Sequence, residues 1–199
     1  MSYLIAELGS NPARYGWKLE PFIRAAKEAG AQAAKIQLFR AEHFPVAERA
    51  EKRKAEFPRG RVMEFANLCR KYNLESGASI FDAEATELAA RYLDFLKLAA
   101  REQNNEDLIR SVFFLYKKTY RSVTDTRFSR QIKDANYVEM FTISEYPTPT
   151  LKAILALFRS ARFYKKCKQV WGWSSHTTGG LDCWFATKLG AWVIEKHLC

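Results

Sequence analysis

Two of the chain's three histidines close consecutive apolar stretches, Trp173-Ser174-Ser175-His176-Thr177 and Ala191-Trp192-Val193-Ile194-Glu195-Lys196-His197. If both stretches are strands of one sheet, their ends bring two imidazoles side by side, where they can share a divalent metal. Two lysines are equally conspicuous. Lys35 lies in Ala33-Ala34-Lys35-Ile36-Gln37-Leu38-Phe39 and Lys97 in Tyr92-Leu93-Asp94-Phe95-Leu96-Lys97-Leu98. An ammonium inside an apolar run needs an anion, which can be a substrate, a carboxylate in a structural ion pair, or a carbonyl compound captured as a Schiff base.

Eight stretches read as strands, at 3–6, 33–39, 77–81, 92–98, 112–116, 138–143, 170–174 and 191–197. Helical spacing links Phe22, Ala25, Ala26 and Ala29, then Val62, Phe65, Ala66 and Cys69, and a helix is expected around Leu88. Only a short helix follows the fourth strand, and 121–135 has weak periodicity but is assigned the fifth helix. Leu151, Ile154, Leu155 and Phe158 mark the clearest amphipathic helix, and Leu181, Trp184, Phe185 and Leu189 mark another. Near-continuous apolar strands alternating with helices predict a parallel sheet closed as a (β/α)8 TIM barrel, α/β in class, without its last helix. Active sites of such barrels gather at strand C-terminal ends, which here carry Glu7, Lys35, Ser79, Lys97, Glu102, Ser144, Tyr146, Ser174, His176, Glu195 and His197.

At 199 residues the chain can bury one substantial core, so 1–199 is expected to be a single domain. No apolar run is long enough to cross a bilayer and the start reads as a strand, so a cytoplasmic protein with no membrane partner is expected. Cys69, Cys167, Cys183 and Cys199 lack paired zinc spacing and are read as reduced and structural. A formal charge of +10 favours anionic partners. Nucleic acid is disfavoured, because the chain lacks zinc-finger spacing, a ribonucleoprotein signature or a basic-region heptad. The basic runs at 49–54 and 164–168 fall between expected elements and read as solvated surface.

Five segments together resemble the catalytic barrel of the N-acetylneuraminate (sialic acid) synthases, from about residue 3 to the C-terminus. They are Ile5-Ala6-Glu7-Leu8-Gly9-Ser10-Asn11, Lys35-Ile36-Gln37, Ser144-Glu145-Tyr146-Pro147-Thr148-Pro149, Ser174-Ser175-His176-Thr177 and Ile194-Glu195-Lys196-His197. The resemblance implies a metal-dependent synthase that condenses phosphoenolpyruvate with an N-acetylated hexosamine such as N-acetylmannosamine and releases phosphate. It implies that His176 and His197 hold the metal, usually manganese, with magnesium or cobalt as alternatives. Lys35, Gln37, Ser79, Lys97, Ser144, Tyr146 and Ser174 become substrate-binding residues, and Glu7, Glu102 and Glu195 catalytic carboxylates.

Several positions depart from the family's pattern. Pro12-Ala13-Arg14 stands where His-Asn-Gly is usual, and Ala99-Ala100-Arg101-Glu102 replaces a Ser-Gly-Glu pattern. Leu115-Tyr116-Lys117-Lys118 stands where Ser-Thr-Gly-Met is expected, so two hydroxyl donors are read as lost, with Arg101 and Lys117 as replacements by charge. Ser175 replaces an aspartate that could orient a metal-binding histidine. The family's eighth helix and C-terminal antifreeze-like domain have no counterpart here, so a homo-oligomer or a partner chain is expected to cover that flank. Two classes remain: the synthase, and a catalytically impaired homologue that binds an anionic sugar or serves in assembly.

Overall fold

A computed structural model describes residues 2–115, 117–130, 132 and 134–198. Eight parallel strands close into a barrel in chain order: β1 (Tyr3–Glu7), β2 (Ala33–Leu38), β3 (Glu75–Ile80), β4 (Phe95–Leu98), β5 (Lys118–Val123), β6 (Tyr137–Thr142), β7 (Trp171–Ser175) and β8 (Val193–His197). The last strand pairs back onto the first, with Glu7 opposite His197. Outside lie α1 (Glu20–Glu28), α2 (Val46–Lys54), α3 (Val62–Lys71), α4 (Ala83–Tyr92), α5 (Glu106–Phe113), α6 (Thr150–Cys167) and α7 (Leu181–Lys188).

Apart from α2, which has no buried residue, the helices each bury one stripe, as Val62, Phe65, Ala66 and Cys69 do on α3. Caps fix where helices start: Asp82 accepts from the Ala85 amide at 2.6 Å before α4, and Asn105 from the Leu108 amide at 3.2 Å before α5.

The fifth unit differs from the sequence reading. Val112 belongs to α5 and not to a strand, buried beside Leu108 and Ile109 on a helix with two acidic residues in its first turn. A four-residue apolar run, Val112 to Leu115, satisfies a strand and a helix end equally well, and the Asn105 cap decides for helix. The true fifth strand begins at Lys118. It looks polar because its outward residue Arg121 meets Glu139 of β6 at 3.0 Å, both less than 2% exposed. No α-helix forms at 121–135 among the described residues, only a 3-10 turn at Thr126–Phe128. Arg121 holds that connection by donating to the carbonyls of Phe128 and Gln103 at 2.9 and 2.7 Å. Lys117 does not approach the strand ends; its ammonium donates to the Ala90 carbonyl at 2.6 Å. Tyr116 and Cys199 lie outside the described residues, and Cys69, Cys167 and Cys183 are free thiols.

The basic run at 49–54 also forms α2, an added helix within the long second connection, and the run at 164–168 closes α6. Among the described residues, no helix is long and apolar enough to cross a membrane.

Strand periodicity builds the barrel interior in layers. Ile5, Ala33, Phe95, Tyr120, Val138, Met140 and Val193 form an apolar floor. A side chain on Gly77 would sit 2.1 Å from the Phe95 ring, so this glycine makes room for a floor phenylalanine. Two residues further along each strand come Glu7, Lys35, Lys97, Ser122, Thr142 and Glu195, joined by Ser79 and Ser174. All eight are buried.

Candidate active site

The polar layer is tied together by four charged groups from four strands. The Lys35 ammonium meets the Glu7 carboxylate, donates to Ser79 Oγ at 2.6 Å and lies 3.8 Å from Glu195 Oε2. Lys97 Nζ donates to Glu195 Oε1 at 2.6 Å and to Ser174 Oγ at 3.2 Å, and Ser174 Oγ donates to Glu195 Oε1 at 3.1 Å. Register explains these meetings: Glu7 is opposite Lys35, Ser79 opposite Lys97, and Ser174 opposite Glu195.

Electrostatics separates the two lysines. Burial lowers both, but Glu195 and Glu7 together outweigh it at Lys35, whose pKa is raised. At Lys97 burial wins over Glu195 and the like charge of Lys35 adds to it, so its pKa is lowered. Burial would raise the Glu195 carboxyl, yet the two lysines overcome it and hold it down at about 2.

Above this layer is a cavity of about 480 Å³. Lys35, Gln37, Ser79, Lys97, Ser144, Tyr146, Ser174, His176, Glu195 and His197 line it, so most of the sequence-predicted site residues converge there. Glu7 lies just beneath, against Lys35. Glu102 does not line the cavity: its carboxylate accepts from Asn105 at 2.9 Å and lies 3.4 Å from Arg101. Its 3-10 turn, Ala100–Glu102, directs it along the rim.

Sequence reasoning missed Ser122 and Thr142 in the cavity wall. Counting in twos from Tyr120 and Met140 finds both once the fifth strand is placed correctly. Of the hydroxyls read as lost at that strand, one is therefore supplied by Ser122, while Ala99 and Ala100 leave the neighbouring wall without hydroxyls.

The two histidines stand with ring centroids 5.4 Å apart. His176 Nδ1 donates to the Ile143 carbonyl at 2.5 Å, which fixes the tautomer and leaves Nε2 with its lone pair. Burial depresses His176 to about 4, and burial also lowers His197, so both imidazoles are held toward the neutral form. The orienting acceptor expected at Ser175 is thus a backbone carbonyl from the β6 end. Ser175 Oγ instead accepts from Lys196 at 2.8 Å, and Lys196 also donates to Thr177, whose hydroxyl donates to buried Asp182 at 2.7 Å.

Tyr146 covers the pair. Its hydroxyl donates to His176 Nε2 at 2.6 Å, and its ring lies 3.8 Å from the His176 ring and 5.5 Å from that of His197. Among the described residues no group of three or more His, Cys, Asp or Glu could hold a metal. Two neutral imidazoles, one with its tautomer fixed, fit an open two-ligand site whose remaining positions are water or substrate.

A closed parallel (β/α)8 barrel with charged, hydroxyl and imidazole groups collected at its strand ends is the architecture of barrel enzymes. The chain belongs to the NeuB family, whose model matches residues 22–199. It is 24% identical to the N-acetylneuraminate-9-phosphate synthase of Drosophila melanogaster, across 98% of this chain and 59% of the relative. The chain thus spans under two thirds of that relative's length.

Among solved structures it superposes on the N-acetylneuraminic acid (sialic acid) synthetase of Leptospira borgpetersenii with a TM-score of 0.86 at 22% identity, over 98% of this chain and 72% of that one. On the spore coat polysaccharide biosynthesis protein spsE of Bacillus subtilis the TM-score is 0.78 at 26% identity, over 98% and 59%.

Proposed function

We propose that the protein is a synthase of the sialic acid type, joining phosphoenolpyruvate to an N-acetylated hexosamine such as N-acetylmannosamine with release of phosphate. The observation that carries this reading is the buried row Glu7, Lys35, Glu195 and Lys97 beneath two neutral histidines. Lys35 and Lys97 come from different walls and can turn from their carboxylates toward a doubly anionic substrate without crossing the cavity. Ser79 and Ser122 supply neutral donors for its remaining oxygens, Ser174 holds Glu195 and Thr142 holds the Ser174 carbonyl beside them, and Gln37 and Ser144 at the rim face the acceptor.

Glu195, held ionised between two ammonium groups, is a poor proton acceptor. It suits stabilising the cationic carbon left after carbon–carbon bond formation and orienting the water that adds there. Glu7 is opposite His197 on the paired strand, and the role we assign it is to hold the acceptor's hydroxyls or take its proton once Lys35 turns to the substrate. His176 and His197 would hold a divalent ion, manganese in the first instance with magnesium or cobalt as alternatives. When bound, that ion supplies Lewis-acid polarisation of the aldehyde oxygen.

The test is acceptor-dependent phosphate release. Phosphoenolpyruvate plus N-acetylmannosamine should yield phosphate with the wild type and none with Glu195→Gln, while no release from the folded wild type across N-acetylated hexosamines contradicts the reading. That outcome would favour the second reading, an anionic-sugar-binding or assembly protein, for which the hydroxyl-free wall at Ala99 and Ala100 speaks. Self-association belongs to the proposal as well. Leu181, Trp184 and Trp192 are 53%, 55% and 45% exposed, and a second copy is the cover we expect. A monodisperse monomer in sedimentation at micromolar concentration would contradict it.

A further inference from the structure

We propose that Asp182 and Lys196 form a clamp outside the barrel cavity that positions His176 relative to His197, with Asp182 acting from α7 in place of the aspartate absent at position 175. Neither side chain lines the cavity, so both are positioning residues and not catalytic ones.

Strand alternation sets up the arrangement. Ser174 and His176 line the cavity, whereas Trp173, Ser175 and Thr177 do not. Trp173 Nε1 donates to Asp182 Oδ2 at 2.8 Å and Thr177 Oγ1 donates to Asp182 Oδ1 at 2.7 Å, so both carboxylate oxygens are committed to the segment that carries His176. Lys196 approaches from the neighbouring strand, opposite Ser175 in register. Its ammonium donates to Ser175 Oγ at 2.8 Å, to the Thr177 carbonyl at 2.5 Å and to Thr177 Oγ1 at 3.2 Å. The residues on either side of His176 are thus held by one ammonium, and the residue that follows it in the chain is His197.

Charge and burial make the clamp stiff. Asp182 is fully buried in the first turn of α7. Burial would raise its carboxyl, but hydrogen bonds from Trp173, Thr177 and Ser175 and the charge of Lys196 outweigh it and hold the pKa low. Lys196 and Asp182 meet at the Thr177 hydroxyl, which accepts from the one and donates to the other. A serine at 175 gives Lys196 an acceptor without a charge, and Asp182 brings the charge from the helix. A carboxylate that served only to seat α7 would need no bond to the residue beside His176. The Ile143 carbonyl fixes the tautomer of that ring, and the clamp fixes the backbone that carries it. The consequence for metal binding rests on the synthase reading and its histidine-held ion, whereas the positioning of His176 stands without it.

Histidine-resolved NMR of the metal-free full chain, joined to calorimetric titration of manganese, tests the clamp. The proteins are the wild type, Asp182→Asn, Thr177→Val and the double variant Ser175→Asp/Asp182→Asn, which moves the carboxylate onto the strand beside Lys196. Asp182→Asn should shift the His176 ring resonances, leave those of His43 in place and weaken manganese about tenfold or more. The double variant should return both towards wild type. Unchanged His176 resonances in folded Asp182→Asn, or a loss that the relocated carboxylate does not recover, overturns the clamp. Thr177→Val cuts the link and leaves Asp182 on Trp173, so it should reproduce the His176 shift even where Asp182→Asn fails to fold, and no shift there overturns the clamp as well. If the wild type binds no manganese while the resonances shift and recover, the clamp stands and the metal site falls. Manganese bound equally well by wild type and Asp182→Asn removes the clamp and leaves the metal site.

Discussion

Glu195 and Lys97 are 98 residues apart in the chain and 2.6 Å apart in the barrel, inside a layer where neither is more than 3% exposed. Charged pairs this deep are weak stabilisers as pairs, but removing one partner strands the other. Glu195→Gln should therefore cost about 3–5 kcal/mol of unfolding free energy. The double change Glu195→Gln/Lys97→Met should recover part of that loss, as read from denaturant midpoints. Additive losses would show that the two groups do not act together.

Acid sensitivity follows from the same carboxylate. Lys35 and Lys97 overcome the burial that would raise it and hold its pKa at about 2 in the fold, below the ordinary carboxylate range, so it binds fewer protons than in the unfolded chain. The stability it contributes is full above about pH 5 and is lost as the pH drops toward 2. Thermal melts of the wild type should fall across that window, and Glu195→Gln should show a shallower fall. Identical slopes would contradict the depressed carboxyl.

Arg121 does at the fifth crossover what a helix does at the others. It spans Glu139 of β6 and the carbonyls of Phe128 and Gln103, and Glu139 also accepts from Ser129 Oγ at 2.6 Å. Arg121→Leu should cost about 3–5 kcal/mol, because it leaves a buried carboxylate unpaired, and hydrogen exchange should rise first in 124–130. A loss within 0.5 kcal/mol would show that the connection holds without it.

Gly77 tests the packing of the floor. Gly77→Ala should destabilise by about 1–3 kcal/mol through collision with Phe95, and Phe95→Leu in the same chain should relieve much of it. Failure of the second change to help would move the clash elsewhere.

Tyr146 occupies the nitrogen that a metal would need. Tyr146→Phe should therefore tighten manganese binding several-fold in calorimetry or paramagnetic resonance, and His176→Ala should abolish it. Manganese bound equally by wild type and His176→Ala would remove the histidines as ligands.

The barrel and most of its mouth could be read from sequence because strand interiors and strand ends carry different chemistry. Lys35, Lys97, His176 and His197 are conspicuous as polar residues ending apolar runs. The fifth unit was misread for the converse reason. Val112 to Leu115 is apolar but closes a helix, whereas the strand from Lys118 carries a lysine and an arginine on faces that other groups neutralise. That displacement hid Ser122 and made the hydroxyls of the fifth strand seem absent. Glu102 is expected in the site from its position after the fourth strand and from the family resemblance, but the 3-10 turn Ala100–Glu102 directs it along the rim. The link from Lys196 through Thr177 to Asp182 joins a strand, a loop and a helix and has no local signal at all.

The most direct test of the central claim is calorimetric titration of phosphoenolpyruvate, with and without manganese, into the wild type and into Lys97→Met verified as folded by circular dichroism. Every synthase of the proposed kind needs that substrate whatever sugar it takes. Saturable binding by the wild type that disappears in Lys97→Met is the result we predict. No binding to the folded wild type under either condition would contradict the synthase.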